Sequence, residues 1–567
     1  MGRSGAALLL AASLPLSIAP LRAQPPPPIG LIERLAPASD LIQRLAPPGP
    51  SRPAPLPPPP AAAAPREGPG ATLRLTLASV SLTGATALPE ARLAPLIAPL
   101  LGGEVTLGEI EAARVAILTA YRAAGFPYVA VRALLEAGPR LHLQVIEGVV
   151  TSLLIDPPDL PAAPLLRRLL APLIGQAPLS QTALERALLL AAEVPGLTPR
   201  ALLRPAEQEG ALELVVRVAQ APLSGFVTLD NRGQRGTGAW QGLAVAGVNS
   251  RTRWGERAEA ALLQTDGFGQ SYGQATLDAF LGGSGLRGRV QAGMGRVAPG
   301  GGLAALGYAG QTQLVSLGLA WPLVRRRPLS VTLDTSAEAL DSLVEVKAGG
   351  PATRLTRDAV RALRLGLEAT AQDGWLPGPA IATTQARLRL HQGIEALGAT
   401  HAGGNVARAG SDFGFTRLSF GLSRVQPLAE APEGALISLF VEAGGQASDA
   451  VLPPAERFQL GGNRLGRGYF AGQVGGDRAL AGTVELRLDL PGAGPQFYAF
   501  HDQGRAWSNR AGEPSQRLSA QGLGVRLPLG GAAQAEAELV TRAPRLPEGD
   551  GSAQAAQALF VRLLVRF

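Results

Sequence analysis

The sequence predicts a mainly β fold: a transmembrane antiparallel β-barrel of about 16 strands, preceded by two small α+β modules. Three observations carry this. From Pro222 onward the helical spacing of apolar residues gives way to strict alternation that continues to Phe567. Met1–Ala23 has Arg3, an apolar run Ala6–Leu14 and then Leu21-Arg22-Ala23, the pattern of an export signal. No later segment offers the roughly 18 uncharged apolar residues of a spanning helix. An exported chain that is integral to a membrane without such helices must cross it as a closed barrel, because only closure satisfies every backbone group in lipid.

The elements follow in order. Residues 1–23 are the expected signal peptide. Residues 24–70 are proline-rich, with Leu31-Ile-Glu-Arg-Leu-Ala-Pro37 repeated as Leu41-Ile-Gln-Arg-Leu-Ala-Pro47. Each copy allows one or two helical turns before its proline, and an extended linker follows. Residues 71–149 form the first expected module. Leu73–Leu82 alternates as a strand, Glu90–Leu101 and Gly108–Ala124 have helical spacing, and Val129–Leu135 and Leu141–Ile146 alternate again. Residues 150–221 repeat that order through Val150–Ile155, Pro164–Leu173, Gln181–Val194, Ala201–Arg204 and Leu212–Val218. Each unit describes a small sheet backed by two helices.

Residues 222–567 are the expected barrel. Gln385, Arg387, Arg389 and His391 alternate with Ala386, Leu388 and Leu390. Glu485, Arg487 and Asp489 alternate with Val484, Leu486, Leu488 and Leu490, and Gln534, Glu536 and Glu538 with Ala535, Ala537 and Leu539. Arg325-Arg326-Arg327 reads as a tight turn between strands. Trp240, Trp254, Trp321, Trp375 and Trp507 are candidates for the membrane interfaces. In the last strand Val561, Leu563, Val565 and Phe567 share one face, and Arg562 and Arg566 take the other.

Composition excludes much. The chain has no cysteine, which removes disulfides, thiolate metal sites and cysteine nucleophiles together. His142, His391, His401 and His501 lack ligand spacing. Lys347 is the only lysine and precedes alanine, so there is no P-loop lysine. Net charge is +8, but the arginines alternate singly with apolar residues instead of forming a patch with interleaved aromatics, so no nucleic-acid partner is expected. With no nucleophile–base set, no paired catalytic carboxylates and no metal cluster, neither an enzyme nor a cofactor is expected.

Two motifs concentrate the remaining chemistry. Phe458-Gln-Leu-Gly-Gly-Asn-Arg-Leu-Gly-Arg-Gly-Tyr469 sets Arg467 between Gly466 and Gly468, with Tyr469 after them. Phe500-His-Asp-Gln-Gly504 sets Asp502 on a later strand, flanked by Phe500 and Gly504. A guanidinium offers a planar fork that matches a carboxylate. Glycines beside it let the backbone turn where other residues resist. If Arg467 and Asp502 meet, a basic loop tip is pinned to an acidic wall.

The element order of the two modules, with Val80-x-Leu82-x-Gly84, Tyr121-x-x-x-Gly125-Phe126 and Glu147-Gly148, resembles the POTRA domains of outer-membrane transporters. From Thr72 to Phe567 the chain resembles the two-partner secretion transporters, the haemolysin secretion/activation family. Leu229-Asp230-Asn231-Arg232-Gly233, Leu188-Leu189-Leu190 and Pro195-Gly196 add to the likeness. The resemblance implies that Arg467 lies at the tip of a long sixth extracellular loop, about residues 450–478, folded into the pore and paired with Asp502 on the wall. Gly466 stands where that family usually has valine. It also implies a Gram-negative outer-membrane pore with periplasmic modules, surrounded by lipid and inserted by the barrel-assembly machinery. The partner would be an exoprotein, an adhesin or haemolysin, unfolded in transit. Residues 24–70 occupy the place of a plug helix and linker. The alternative function is a membrane-protein insertase of the related barrel-assembly kind.

Overall fold

The computed structural model describes residues 71–567, apart from 139, 235, 301–303, 305–306, 348–350, 402 and 548–552. The expected signal peptide and proline-rich segment lie outside the described residues. No helix among those described is long and apolar enough to cross a membrane.

The first module comprises β1 (Arg74–Thr76), β2 (Ser79–Thr83), α1 (Glu90–Ile97), β3 (Glu104–Thr106), α2 (Leu107–Ala123), β4 (Val129–Glu136) and β5 (Arg140–Glu147). Its main sheet has the order β2-β5-β4, and β1 pairs separately with β3. The alternating run Leu73–Leu82 is therefore two strands, because its halves pair with different partners. A capping box starts α2: the Thr106 side chain accepts from the Glu109 amide, and the Glu109 carboxylate accepts from the Thr106 amide. Ile110, Ala113, Ile117 and Tyr121 then fall on one face of α2 and pack on Leu141, Leu143 and Val145 of β5.

Glu147 closes this module. It accepts from the Tyr121 hydroxyl at 2.7 Å and from the amides of Thr86 and Ala87 at 2.8 and 3.0 Å. Burial opposes its ionisation. The hydrogen bonds from Thr86, Tyr121 and the Ala87 amide outweigh that and hold the carboxyl below the usual carboxylate range. A carboxyl with a lowered folded pKa contributes stability above its unfolded pKa and loses it as pH falls through the folded value. Acid should therefore loosen the first module. In Glu147→Gln, the melting temperature of this module should depend less on pH below the carboxylate range, and calorimetry of the two proteins checks this.

The second module comprises β6 (Val149–Asp156), α3 (Ala163–Leu170), α4 (Gln181–Ala192), β7 (Leu197–Pro205) and β8 (Ala211–Gln220), with sheet order β6-β8-β7. Its core draws on both neighbours. Tyr128 of the first module packs against it, and Phe280 of the barrel, 1% exposed, is one of its members. Gly148 joins the modules where a Cβ would lie 2.4 Å from the Tyr128 carbonyl oxygen, so the joint leaves no room for a side chain.

The barrel begins with β9 (Leu223–Asp230), β10 (Gln241–Asn249), β11 (Arg257–Thr265), β12 (Gln270–Phe280) and β13 (Arg287–Val297). It continues with β14 (Ala309–Arg325), β15 (Leu329–Val346), β16 (Thr353–Asp373), β17 (Ala382–Gly393), β18 (Thr416–Ala431) and β19 (Ala435–Ala447). The short strands β20 (Phe458–Leu460) and β21 (Val474–Gly476) pair with each other inside the following connection. The ring resumes with β22 (Arg478–Asp489), β23 (Gln496–Trp507), β24 (Gln516–Leu529), β25 (Ala533–Ala543) and β26 (Gln557–Arg566). Sixteen antiparallel strands close, with β26 pairing back to β9.

Period-two alternation sorts the side chains. Leu365, Leu388, Leu390, Leu486, Leu523, Leu539 and Leu563 are exposed on the outer face, while Arg364, His391, Glu485, Glu538 and Phe560 are buried. The five tryptophans gather at strand ends: Trp254, Trp321 and Trp375 at the end that carries the modules, and Trp240 and Trp507 at the far end.

The second module is fixed to the barrel turns at its own end. A Cβ on Gly255 would lie 2.4 Å from Leu165. Glu193 pairs with Arg325, and the Arg186 guanidinium donates to the carbonyl of Pro322 at 3.1 Å.

Candidate functional site in the barrel lumen

Residues 448–477 form the sixth connection at the far end of the barrel, and they fold back inside it. The hairpin of β20 and β21 makes their stem. Leu460, Tyr469 and Val474 are buried against Tyr498, Phe500, Leu518, Val540 and Phe560 of the wall.

Arg467 sits at the tip and is 4% exposed; Asp502 on β23 is 0% exposed. They meet. The guanidinium donates from Nε to Asp502 Oδ2 at 3.1 Å and from Nη2 to Oδ1 at 2.9 Å. The backbone amides of Arg467 and Gly466 also donate to Oδ2, at 2.8 and 3.2 Å. One carboxylate thus holds the side chain and the main chain of the tip together. Removing such a charge from water costs several kcal/mol, and multiple charge-assisted hydrogen bonds offset that cost.

The pair belongs to a larger network. Arg467 Nη2 donates to Thr483 at 2.8 Å, and Nη1 pairs with Glu485, both on β22. Register explains the convergence: Thr483 lies opposite Asp502, and Glu485 opposite Phe500. Phe500 lays its ring under the guanidinium, 3.5 Å from carbon to ring centroid, a cation–π contact worth about 0.5–2 kcal/mol. Arg232, just beyond β9, donates to the Arg467 carbonyl at 2.7 Å and pairs with Glu538 of β25. Glu485 also accepts from Arg487 and Arg526, at 2.7 and 2.9 Å.

The motif glycines are placed by shape. Gly466 has φ +91°, and a Cβ there would lie 2.9 Å from Leu518. Gly468 passes Ala520 and Val540 with only 3.0–3.1 Å for a Cβ. A Cβ on Gly504 would meet Leu460 of the stem at 3.0 Å. The Tyr469 hydroxyl lies 2.8 Å from the carbonyl oxygen of Pro544 and 3.0 Å from that of Ser519.

The motifs alone single out a pair. The structure adds Glu485, Thr483, Glu538 and Arg232 as its partners. Part of that signal was in the alternation, which puts Glu485 and Glu538 on the charged faces of their strands. The meeting of four strands and a loop needed the ring to close.

The model of the haemolysin secretion/activation protein family ShlB/FhaC/HecB matches residues 372–527, which span both motifs. The ShlB-type POTRA domain matches residues 75–148. Over these two stretches the chain is similar to the haemolysin secretion/activation family. That is a secretion family and not an enzyme class. Among solved structures, the chain is similar to CdiB from Escherichia coli, with a TM-score of 0.67 and 19% identity over 91% of this chain and 94% of that one. It is also similar to CdiB from Acinetobacter baumannii, with a TM-score of 0.60 and 16% identity over 87% and 90%. At these identities the likeness speaks to the fold. No curated protein matches the chain by sequence.

Proposed function

We propose that this outer-membrane secretion protein captures an unfolded exoprotein on its periplasmic modules and passes it through the barrel, with the inward-folded sixth loop pinned by Arg467 and Asp502. The observation that carries the reading is that pinned tip, buried within a barrel whose opposite end is joined to two sheet-bearing modules. In this orientation the module end faces the periplasm and the 448–477 loop arises from the outside. Lipid surrounds the exposed leucine face, and the barrel-assembly machinery inserts the protein. The domain limits 71–149, 150–221 and 222–567 and the loop limits 450–478 belong to the same reading. No nucleotide-binding loop is present in the sequence, so direction comes from capture on one side and folding on the other.

Capture needs an edge. β4 lies at the end of its sheet and carries the exposed residues Leu134 and Leu135. An unpaired strand edge can add an extended segment by backbone hydrogen bonds. Consecutive residues point their amides to opposite sides, so one of Leu134→Pro and Leu135→Pro removes a donor from the free edge and the other removes a bond to β5. The free-edge variant should keep the module folded and lower export of the cognate exoprotein about tenfold, since proline denies one pairing site. Normal export from both variants would remove β4 as the receptor edge.

A further inference from the structure

The loop is held at a second place, on another part of the ring. Glu456 follows Pro454-Ala455 in a short turn and is 2% exposed. Its Oε1 accepts from Arg364 Nη2 of β16 at 3.0 Å, and its Oε2 lies 2.6 Å from Arg417 Nη2 of β18. His391 of β17 stands 3.9 Å away. Arg364 is shared with Glu338 of β15, at 2.6 Å. The Glu456 carbonyl accepts from the Gln446 side chain at 3.0 Å. Three adjacent strands, β16, β17 and β18, converge on one loop carboxylate.

Open space adjoins its partners. A cavity of about 260 Å³ separates the loop from β16–β19 and is lined by Arg364, Arg389 and Arg417. It shares Arg364 and Arg389 with a cavity of about 250 Å³ along β13–β17. That one shares Arg287 and Arg289 with a third, of about 480 Å³, which reaches Glu193 and Pro195 at the second module. The run of cavities leads from the module end to Ala455 and Arg457, on either side of Glu456, and to its partners Arg364 and Arg417.

We propose that Glu456 is a clasp: a positioning residue whose pairing with Arg364 and Arg417 closes the outer end of this run while Arg467 stays seated. What passes beneath the clasp, an extended polypeptide, rests on the secretion reading above. The two holds differ in kind. The tip is fixed through its own backbone amides, an aromatic face and a buried apolar cluster. The clasp is a set of ion pairs, and a carboxylate or peptide carbonyl of a passing chain can take over donors of Arg417 or Arg364 by exchange. The clasp is the hold that a moving chain can release and that re-forms behind it.

The test uses the whole purified protein, whose lack of cysteine lets spin labels be placed at will. One pair, at Leu397→Cys and Ala455→Cys, reports the clasp; the other, at Asn463→Cys and Ala511→Cys, reports the tip. Glu456→Gln should broaden the first distance distribution about twofold and leave the second unchanged, because only one hold is lost. Its resting channel activity in planar bilayers should rise about threefold or more, a shift of population towards the open form. Arg417→Gln should reproduce both effects, and Glu456→Asp, which keeps the charge, should restore most of each. Heat-modifiable migration on gels verifies that each variant is a folded barrel. An unchanged first distance in both Glu456→Gln and Arg417→Gln, broadening of both pairs together, or no rise in channel activity would each overturn the clasp. None of these readouts needs an exported partner, so a failure of the secretion reading shows separately, as absent export by the parent protein.

Discussion

Arg467→Ala and Asp502→Ala are each expected to lower export of the exoprotein about tenfold or more, with the barrel still present in the membrane. Breaking a buried ion pair by removing one partner costs about 3–5 kcal/mol, chiefly because a charge is left without compensation. Arg467→Ala leaves Asp502 and Glu485 facing an empty site. Asp502→Ala strips the guanidinium and both tip amides of a shared acceptor. Both variants act through one contact, so the double variant should export scarcely less than the worse single one. Arg467→Lys keeps the charge but cannot reach Asp502, Glu485 and Thr483 together, and should rescue only in part. Export measured across the four-member cycle decides the matter. Fully additive losses would mean that the two residues work separately.

The second large effect concerns Gly466. Installing the valine usual in this family, Gly466→Val, should unseat the tip in this chain and cut export severalfold. Two costs add. The residue has φ +91°, where a β-branched side chain is strained by about 1–3 kcal/mol. Its Cβ would also press on Leu518. Gly466→Ala should be milder but still harmful, and Leu518→Ala should relieve the contact without relieving the backbone strain. Export and channel noise compared across these variants separate the two costs. Wild-type behaviour of Gly466→Val would mean that the loop can take another path to the same ion pair.

The fold was legible because β-barrels and small α/β modules impose different periods on the chain. The run from Gln385 to His391 states in seven residues which side chains face out. The order of elements in the modules was readable for the same reason, although one alternating run conceals two strands with separate partners. The site was legible only in its two motif residues. Arg467 announces itself by the glycines around it, and Asp502 by its place between Phe500 and Gly504. Glu456 carries no such local mark, since its significance depends on Arg364 and Arg417, two strands apart in the ring. Arg232 is similar: its guanidinium joins Glu538, and only closure of β9 on β26 brings β9 to the β25–β26 side of the barrel. Contacts made across a closing seam leave no trace in the spacing of either strand.

The shared core of the second module has a bearing on how the protein is assembled. Phe280 is supplied by the fourth barrel strand, so the module's apolar interior is complete only once that strand stands in place. A chain emerging amino-terminus first presents Leu165, Leu190 and Val194 before the turns that cover them exist. Those turns include Gly255 and Gly285, whose missing side chains leave room for these residues. Until then those apolar side chains lie uncovered. Formation of the barrel covers them. Completion of the second module's core is thereby tied to formation of the barrel, and a chain without the barrel leaves that core open on one side.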